Sequence, residues 1–215
     1  MTSNCQLYLI TPPQIDNVDA YLEALKAALG EGDIACLQLR LKSIDDVPAA
    51  DDEIVQLAEA ILPITNGAGV ALLINDRPDL ASKVGADGVH IGQSDASYED
   101  ARKLLGDDAS IGVTCHNSRH LGLVAGEAGA DYVAFGAFYP TQTKAAATVA
   151  EPALLEWWSH ATTVPSVAIG GITPANCGPL VSAGADFLAV SSAIWSHADG
   201  PGAAVKAFTK AIQAA

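Results

Sequence analysis

"VGADGVHIG" (84–92), "AGADYVAFG" (128–136) and "AGADFLAVS" (183–191) share one grammar. A helix-like segment ends on Gly, Ala-Asp follows, and a short apolar run begins. Glycine suits the left-handed position that closes a helix. The apolar run that follows has the length of a buried strand. The three echoes mark repeated αβ units rather than a solenoid.

Working outward, similar runs recur along the chain: "QLYLIT" (6–11), "IACLQLRL" (34–41), "ALLIND" (71–76), "GVHIG" (88–92), "SIGVTC" (110–115), "YVAFG" (132–136), "SVAIG" (166–170) and "FLAVSS" (187–192). They are near-continuously apolar, as strands covered on both faces are. Between them, residues 17–29, 51–62, 98–106, 119–129 and 174–184 place apolar residues at three- and four-residue spacing, the stripe of a packed helix. Residues around Trp157 and Trp158 also read as helix, and 200–213 as the closing one. Eight strands alternating with helices predict an α/β fold, a (β/α)₈ TIM barrel of parallel strands, as a single domain over 1–215. A doubly wound open sheet is the alternative this alternation allows.

Half of the 215 residues are hydrophobic, enough for one sizeable core, and only 17% are charged, which argues against disorder. The formal net charge is −14, with 25 acids against 11 bases. Nucleic-acid binders carry a basic face, so no nucleic-acid partner is expected. No apolar run reaches membrane-spanning length and the first residues do not resemble a signal peptide, so no membrane partner is expected. Cys5, Cys36, Cys115 and Cys177 are widely spaced, as reduced buried thiols are, which points to a cytoplasmic protein.

In such a barrel the active site forms where the strands end. Gln38, Arg40 and Lys42 alternate along the second run, so all three share its inward face. Burying two like charges is costly unless an anion meets them, so the trio reads as an anion grip. Asn75 and Asp76 close the third run, and Asp95 follows the fourth. Two carboxylates converging there suit Mg²⁺, which takes one or two protein carboxylates and leaves its other positions to water and phosphate. His90 reads as a hydrogen-bonded strand residue. His116 and His120 stand four apart without the glutamate of a zinc-protease helix, so zinc is not expected. "YPTQTK" (139–144) ends the sixth run with Thr141, Thr143 and Lys144, again a grip on an anion. Gly170-Gly171 and Ser191-Ser192 end the last two runs, where this fold often binds phosphate. One phosphate does not need both sets, so a diphosphate beside a monophosphate is expected.

These residues, in this order, resemble thiamine-phosphate synthase over nearly the whole chain. "QLRLK" (38–42), "NDRPDLASKVGADGVHIGQSD" (75–95), "YPTQTK" and "AIGGI…AGADFLAVSSAI" (168–194) carry the resemblance. It implies that Gln38, Leu39, Arg40, Leu41, Lys42, Asn75 and Lys144 bind a hydroxymethylpyrimidine diphosphate, with Arg40, Lys42 and Lys144 stabilising the leaving pyrophosphate. It implies Mg²⁺ on Asp76 and Asp95. Thr141, Thr143, Gly171, Ser191 and Ser192 would bind a thiazole phosphate, and Thr114 stands where the family usually has Ser. The implied reaction displaces pyrophosphate from the pyrimidine methylene and gives thiamine phosphate. Ala134, Ala137 and Tyr139 replace the family's usual Gly, Pro and Phe. A related thiazole tautomerase shares the barrel and the thiazole phosphate site but needs no diphosphate grip. A barrel that only senses a precursor would show losses among the charged residues, and none is seen. A homo-oligomer is compatible with the sequence.

Overall fold

The structure, a computed structural model, describes residues 5–43, 47–141 and 148–215. β1 (Gln6–Ile10), β2 (Ile34–Leu39), β3 (Ala71–Asn75), β4 (Gly88–Ile91), β5 (Ser110–His116), β6 (Tyr132–Gly136), β7 (Ser166–Ile169) and β8 (Phe187–Val190) form a closed barrel in sequence order. Every neighbouring pair is parallel, including β8 against β1, so the open-sheet alternative is excluded. The helices are α1 (Val18–Leu29), α2 (Asp51–Ala68), α3 (Pro78–Val84), α4 (Tyr98–Leu105), α5 (Arg119–Ala128), α6 (Pro152–Ala161), α7 (Gly178–Ser182), α8 (Ser192–Trp195) and α9 (Pro201–Gln213).

The junctions explain the repeated triplet. Gly85 and Gly129 take left-handed φ values of 69° and 103° and end α3 and α5. Ala86 N–H then reaches Ala81 O and Ala130 N–H reaches Ala125 O, both at 3.0 Å, which satisfies carbonyls the helix end leaves bare. Ala185 N–H closes α7 onto Leu180 O in the same way. The Asp carboxylates turn to the neighbouring strand. Asp87 accepts Leu72 N–H, Asp131 accepts Ile111 N–H and Asp186 accepts Ser166 N–H, each at 2.7 Å. Thus the residue that opens β4, β6 or β8 also pins the first residues of β3, β5 or β7.

Alternation along the strands divides the interior into two cores. Outward residues such as Leu37, Leu72, Val89, Ile111 and Phe135 pack against the helices. Inward residues, among them Tyr8, Ile10, Cys36, Leu73, Tyr132 and Val167, fill the barrel. Gly112 is part of that filling: a Cβ there would lie within the Tyr132 ring, so a bare strand position makes room for a bulky one.

Several boundaries differ from the sequence expectation. Arg77 and Pro78 read from the sequence as a turn after the third run, yet Pro78 opens α3, because proline fits a first helical turn whose N–H groups have no partner anyway. α2 runs through Pro63 to Ala68 rather than stopping at 62. The run 187–192 is strand only to Val190, and Ser192 opens α8. All four cysteines are buried and free of disulfides. Trp158 is a core residue whose indole N–H reaches Val164 O at 2.7 Å. No helix among the described residues is long and apolar enough to cross a membrane.

Asp186→Ala removes the acceptor for Ser166 N–H and for its hydroxyl. The loss is expected to cost about 1–2 kcal/mol, seen as a melting temperature lower by roughly 2–4 °C per kcal/mol. Glu59→Ala on the exposed face of α2 should leave the transition within about 1 °C, consistent with a surface change worth under ~0.5 kcal/mol.

Candidate active site

The ends of the strands enclose a cavity of about 420 Å³. Gln38, Arg40 and Lys42 line it from the end of β2, and Asn75 and Asp76 from β3. Asp95 lines it after β4, Thr114 from β5 and Thr141 after β6. Gly171, Ser191 and Ser192 close the far side. Two residues expected to touch substrate do not contribute side chains. Leu39 and Leu41 point the other way, 1% and 4% exposed, into the layer between barrel and helices, as alternation requires. Thr143 and Lys144 lie outside the described residues.

The cationic side is already partly balanced by protein. Lys42 Nζ lies 2.7 Å from Asp76 Oδ2, both side chains mostly buried. The anion grip read from the sequence is therefore also an internal ion pair. Although β2 ends at Leu39, the chain stays extended because Ala49 N–H reaches Leu41 O and Lys42 bridges Pro48. Asp76 holds a left-handed φ of 61°, which a residue with a short polar side chain tolerates better than a branched one. Its N–H is fastened to His90 O at 2.7 Å. Burial, then the adjacent Asp76 carboxyl, pushes the Asp95 carboxyl above the ordinary range, while Gly92 N–H bonds it at 2.8 Å. Two carboxylates crowded together with one hard to ionise are the donor set a hard divalent cation relieves. No group of three or more His, Cys, Asp or Glu placed to hold a metal occurs among the described residues.

The floor is a buried polar chain. Gln38 Nε2 donates to Asn75 Oδ1 at 2.6 Å, and Gln38 Oε1 accepts from Tyr8 OH at 3.0 Å. Tyr8 OH meets Tyr132 OH at 3.0 Å, Tyr132 OH meets His90 Nδ1 at 3.0 Å, and His90 Nε2 meets Thr114 Oγ1 at 2.8 Å. Burial pushes both tyrosine hydroxyls well above their usual range and holds His90 down at about 4, so all three are neutral at pH 7. The expected hydrogen-bonded role of His90 is met. Tyr8 and Tyr132 were not singled out, although inward positions two residues from Ile10 and Ala134 were a usable signal.

Thr11, also missed, is 1% exposed and binds β1 to β2: its Oγ1 accepts Arg40 N–H at 2.9 Å. Ser191 Oγ donates to Thr11 O at 3.1 Å, so the two sides of the cavity share a brace. At the far side Gly170 and Gly171 have φ values of 106° and 61°. A Cβ on Gly171 would overlap Pro140 O, so the loop after β6 rests directly on this backbone. Tyr139 OH donates to Asn176 O at 2.7 Å, a bond the Phe usual in the family could not make.

His90 gives the fold a pH dependence. Its folded value lies below the ordinary 6.5, so the unfolded chain takes up a proton first as pH falls. The stability from keeping it neutral is complete above pH 6.5 and is lost between about 6.5 and 4. The full window is worth about 3 kcal/mol. Urea unfolding of metal-free protein at pH 7.5, 6 and 5 should show this slope, and His90→Gln should flatten it by about 2 kcal/mol, the share of the window above pH 5.

Comparison with known proteins agrees with this geometry. The model of the thiamine monophosphate synthase family matches residues 7–194. The thiamine-phosphate synthase of Rhodospirillum centenum is 53% identical over 211 residues, covering 98% of this chain and 99% of that protein. That of Hyphomonas neptunium is 55% identical over 206 residues, covering 94% and 91%. The solved thiamine phosphate pyrophosphorylase from Pyrococcus furiosus superposes with a TM-score of 0.83 at 27% identity, over 99% of this chain and 97% of that one. With a closed eight-stranded barrel, a cavity at its strand ends and this span of similarity, the chain belongs to the thiamine monophosphate synthase family.

Proposed function

We propose that this chain condenses 4-amino-2-methyl-5-(diphosphomethyl)pyrimidine with 4-methyl-5-(2-phosphoethyl)thiazole, giving thiamine phosphate and pyrophosphate for thiamine diphosphate biosynthesis. The observation that carries this reading is one cavity with two differently built ends. Arg40, Lys42, Asp76 and Asp95 crowd one end, while Gly171, Ser191 and Ser192 form an uncharged end. A diphosphate suits the first and a monophosphate the second.

In this reading the bond from the pyrimidine methylene to the diphosphate oxygen breaks, and its electrons leave with pyrophosphate. The thiazole nitrogen lone pair then bonds to that carbon. No nucleophile paired with a base is needed, only positioning and stabilisation of a leaving anion. Arg40, Lys42 and Lys144 take up the developing negative charge. Gln38 and Asn75 orient the pyrimidine, together with Thr114 and the backbone of Leu39 and Leu41. Thr141, Thr143, Gly171, Ser191 and Ser192 hold the thiazole phosphate. Asp76 and Asp95 would hold Mg²⁺, which supplies charge neutralisation at the diphosphate. Lys42, paired with Asp76 in the structure, would face the same diphosphate. The cytoplasm, where phosphorylated precursors are made, suits such an enzyme.

The direct test mixes purified protein with both substrates, in Mg²⁺ and in EDTA, and measures thiamine phosphate and pyrophosphate. Both products are expected with metal only; a folded protein that binds the thiazole phosphate without turnover would overturn the reading. Arg40→Ala and Lys144→Ala should each lower kcat by about 100-fold or more, without loss of the folded circular-dichroism spectrum. Asp95→Ala should raise the Mg²⁺ concentration giving half-maximal rate by at least about tenfold. Because the Asp95 carboxyl is hard to ionise, Mg²⁺ affinity in the parent protein should rise as pH rises through its titration.

A further inference from the structure

The chain across the cavity floor has a direction. Four contacts need four protons: Thr114, neutral His90, Tyr132 and Tyr8 each own one, and Gln38 Oε1 at the end can only accept. A single reversed link would leave one contact without a proton. All four protons must therefore point the same way. The Gln38 amide chooses which: its NH₂ faces Asn75 Oδ1, so its carbonyl faces Tyr8. Tyr8 must donate to Gln38, Tyr132 to Tyr8, His90 Nδ1–H to Tyr132, and Thr114 to His90 Nε2. The imidazole is buried and meets only hydroxyl oxygens, which fits the neutral ring this requires.

We infer that Tyr8, Tyr132 and His90 are positioning residues that fix the hydrogen-bonding polarity of the cavity floor, so that Thr114 Oγ1 offers only lone pairs and Asn75 offers its NH₂. Thr114 and Asn75 line the cavity at the two ends of the chain; the nearly buried Gln38, Tyr8 and His90 also border it, whereas Tyr132 lies behind them. A bound heteroaromatic ring is thereby asked for an N–H donor at the Thr114 side and an acceptor at the Asn75 side. An amino-substituted ring meets that demand, and its oxo analogue, which places an acceptor against lone pairs, does not. The specificity consequence rests on the pyrimidine reading above; the polarity itself does not.

Breaking the middle link tests the mechanism. In Tyr132→Phe, His90 Nδ1 faces a ring with no acceptor. Its proton is then better placed on Nε2, donating to Thr114, and the Thr114 hydroxyl turns to offer a proton to the cavity. The floor would change from acceptor to donor at that point without any change in a residue that touches substrate.

The deciding measurement is the ¹⁵N spectrum of the His90 imidazole in the ligand-free protein at pH 7.5, assigned by its loss in His90→Gln. The Nδ1–H tautomer is expected. An Nε2–H tautomer, or an imidazolium, would overturn the inference, and this outcome does not depend on turnover or on any variant folding. For Tyr132→Phe, the tautomer should switch, and the preference for the amino over the oxo pyrimidine diphosphate should fall by roughly tenfold to a hundredfold in kcat/KM. The KM for the thiazole phosphate should stay within about twofold of the parent value, as expected when only one set of contacts is altered. An unchanged tautomer with an unchanged preference would overturn the positioning role. Absence of turnover with either pyrimidine in the parent protein would instead count against the proposed reaction, while the tautomer still decides the polarity.

Discussion

The start of the barrel is organised by one small contact made three times: a carboxylate at the foot of one strand accepting the N–H of the first or second residue of its neighbour. A parallel ladder leaves its starting N–H groups without partners in the sheet, and an unpartnered polar group at the edge of a core is costly. Asp87, Asp131 and Asp186 remove that cost and fix the stagger of β3–β4, β5–β6 and β7–β8 together. The glycine before each Asp ends the helix at the angle that delivers the carboxylate. Helix end, strand start and inter-strand register are therefore one local unit, and the site at the opposite rim inherits its precision from them.

At that rim the molecule concentrates charge that its surface disfavours. The chain carries a net −14, yet Arg40 and Lys42 line the cavity. The contradiction is local, since exposed charges more than about 8 Å apart are largely screened at physiological salt. Within the cavity Lys42 and Asp76 hold one another in place, and Asp95 is kept close enough to Asp76 to resist ionisation. In the proposed reaction a diphosphate and Mg²⁺ would meet this arrangement together. Beneath it, the neutral floor of Tyr8, Tyr132 and His90 separates the charged rim from the apolar lower barrel.

Much of the molecule was legible in the sequence because strands and helix ends are local events. All eight runs are strands, and the triplet glycines take the left-handed conformations expected of them. Inward alternation correctly brought Gln38, Arg40 and Lys42 to one face. The same alternation turns Leu39 and Leu41 away from the cavity, which a contiguous motif such as "QLRLK" does not express. α3 was missed because Asp-Arg-Pro-Asp is turn chemistry until α2 packs beside it, where Arg77 is held between Asp51 and Asp79. Tyr8 and Tyr132 were passed over because an aromatic in an apolar run looks like core, and only a partner 124 residues away reveals the hydroxyl contact.

The sequence by itself determined the order of the strands and most of the helices between them, the charged groups at the strand ends and the family to which they point. These follow from periodicity, turn chemistry and spacing, each confined to neighbouring residues. Only the tertiary structure decided that Lys42 pairs with Asp76, that Thr11 braces Arg40, and that six groups drawn from six strands line up across the floor. The reason is physical: a hydrogen bond across the barrel requires directions and distances that no single segment contains, and they come into being only when the eighth strand meets the first.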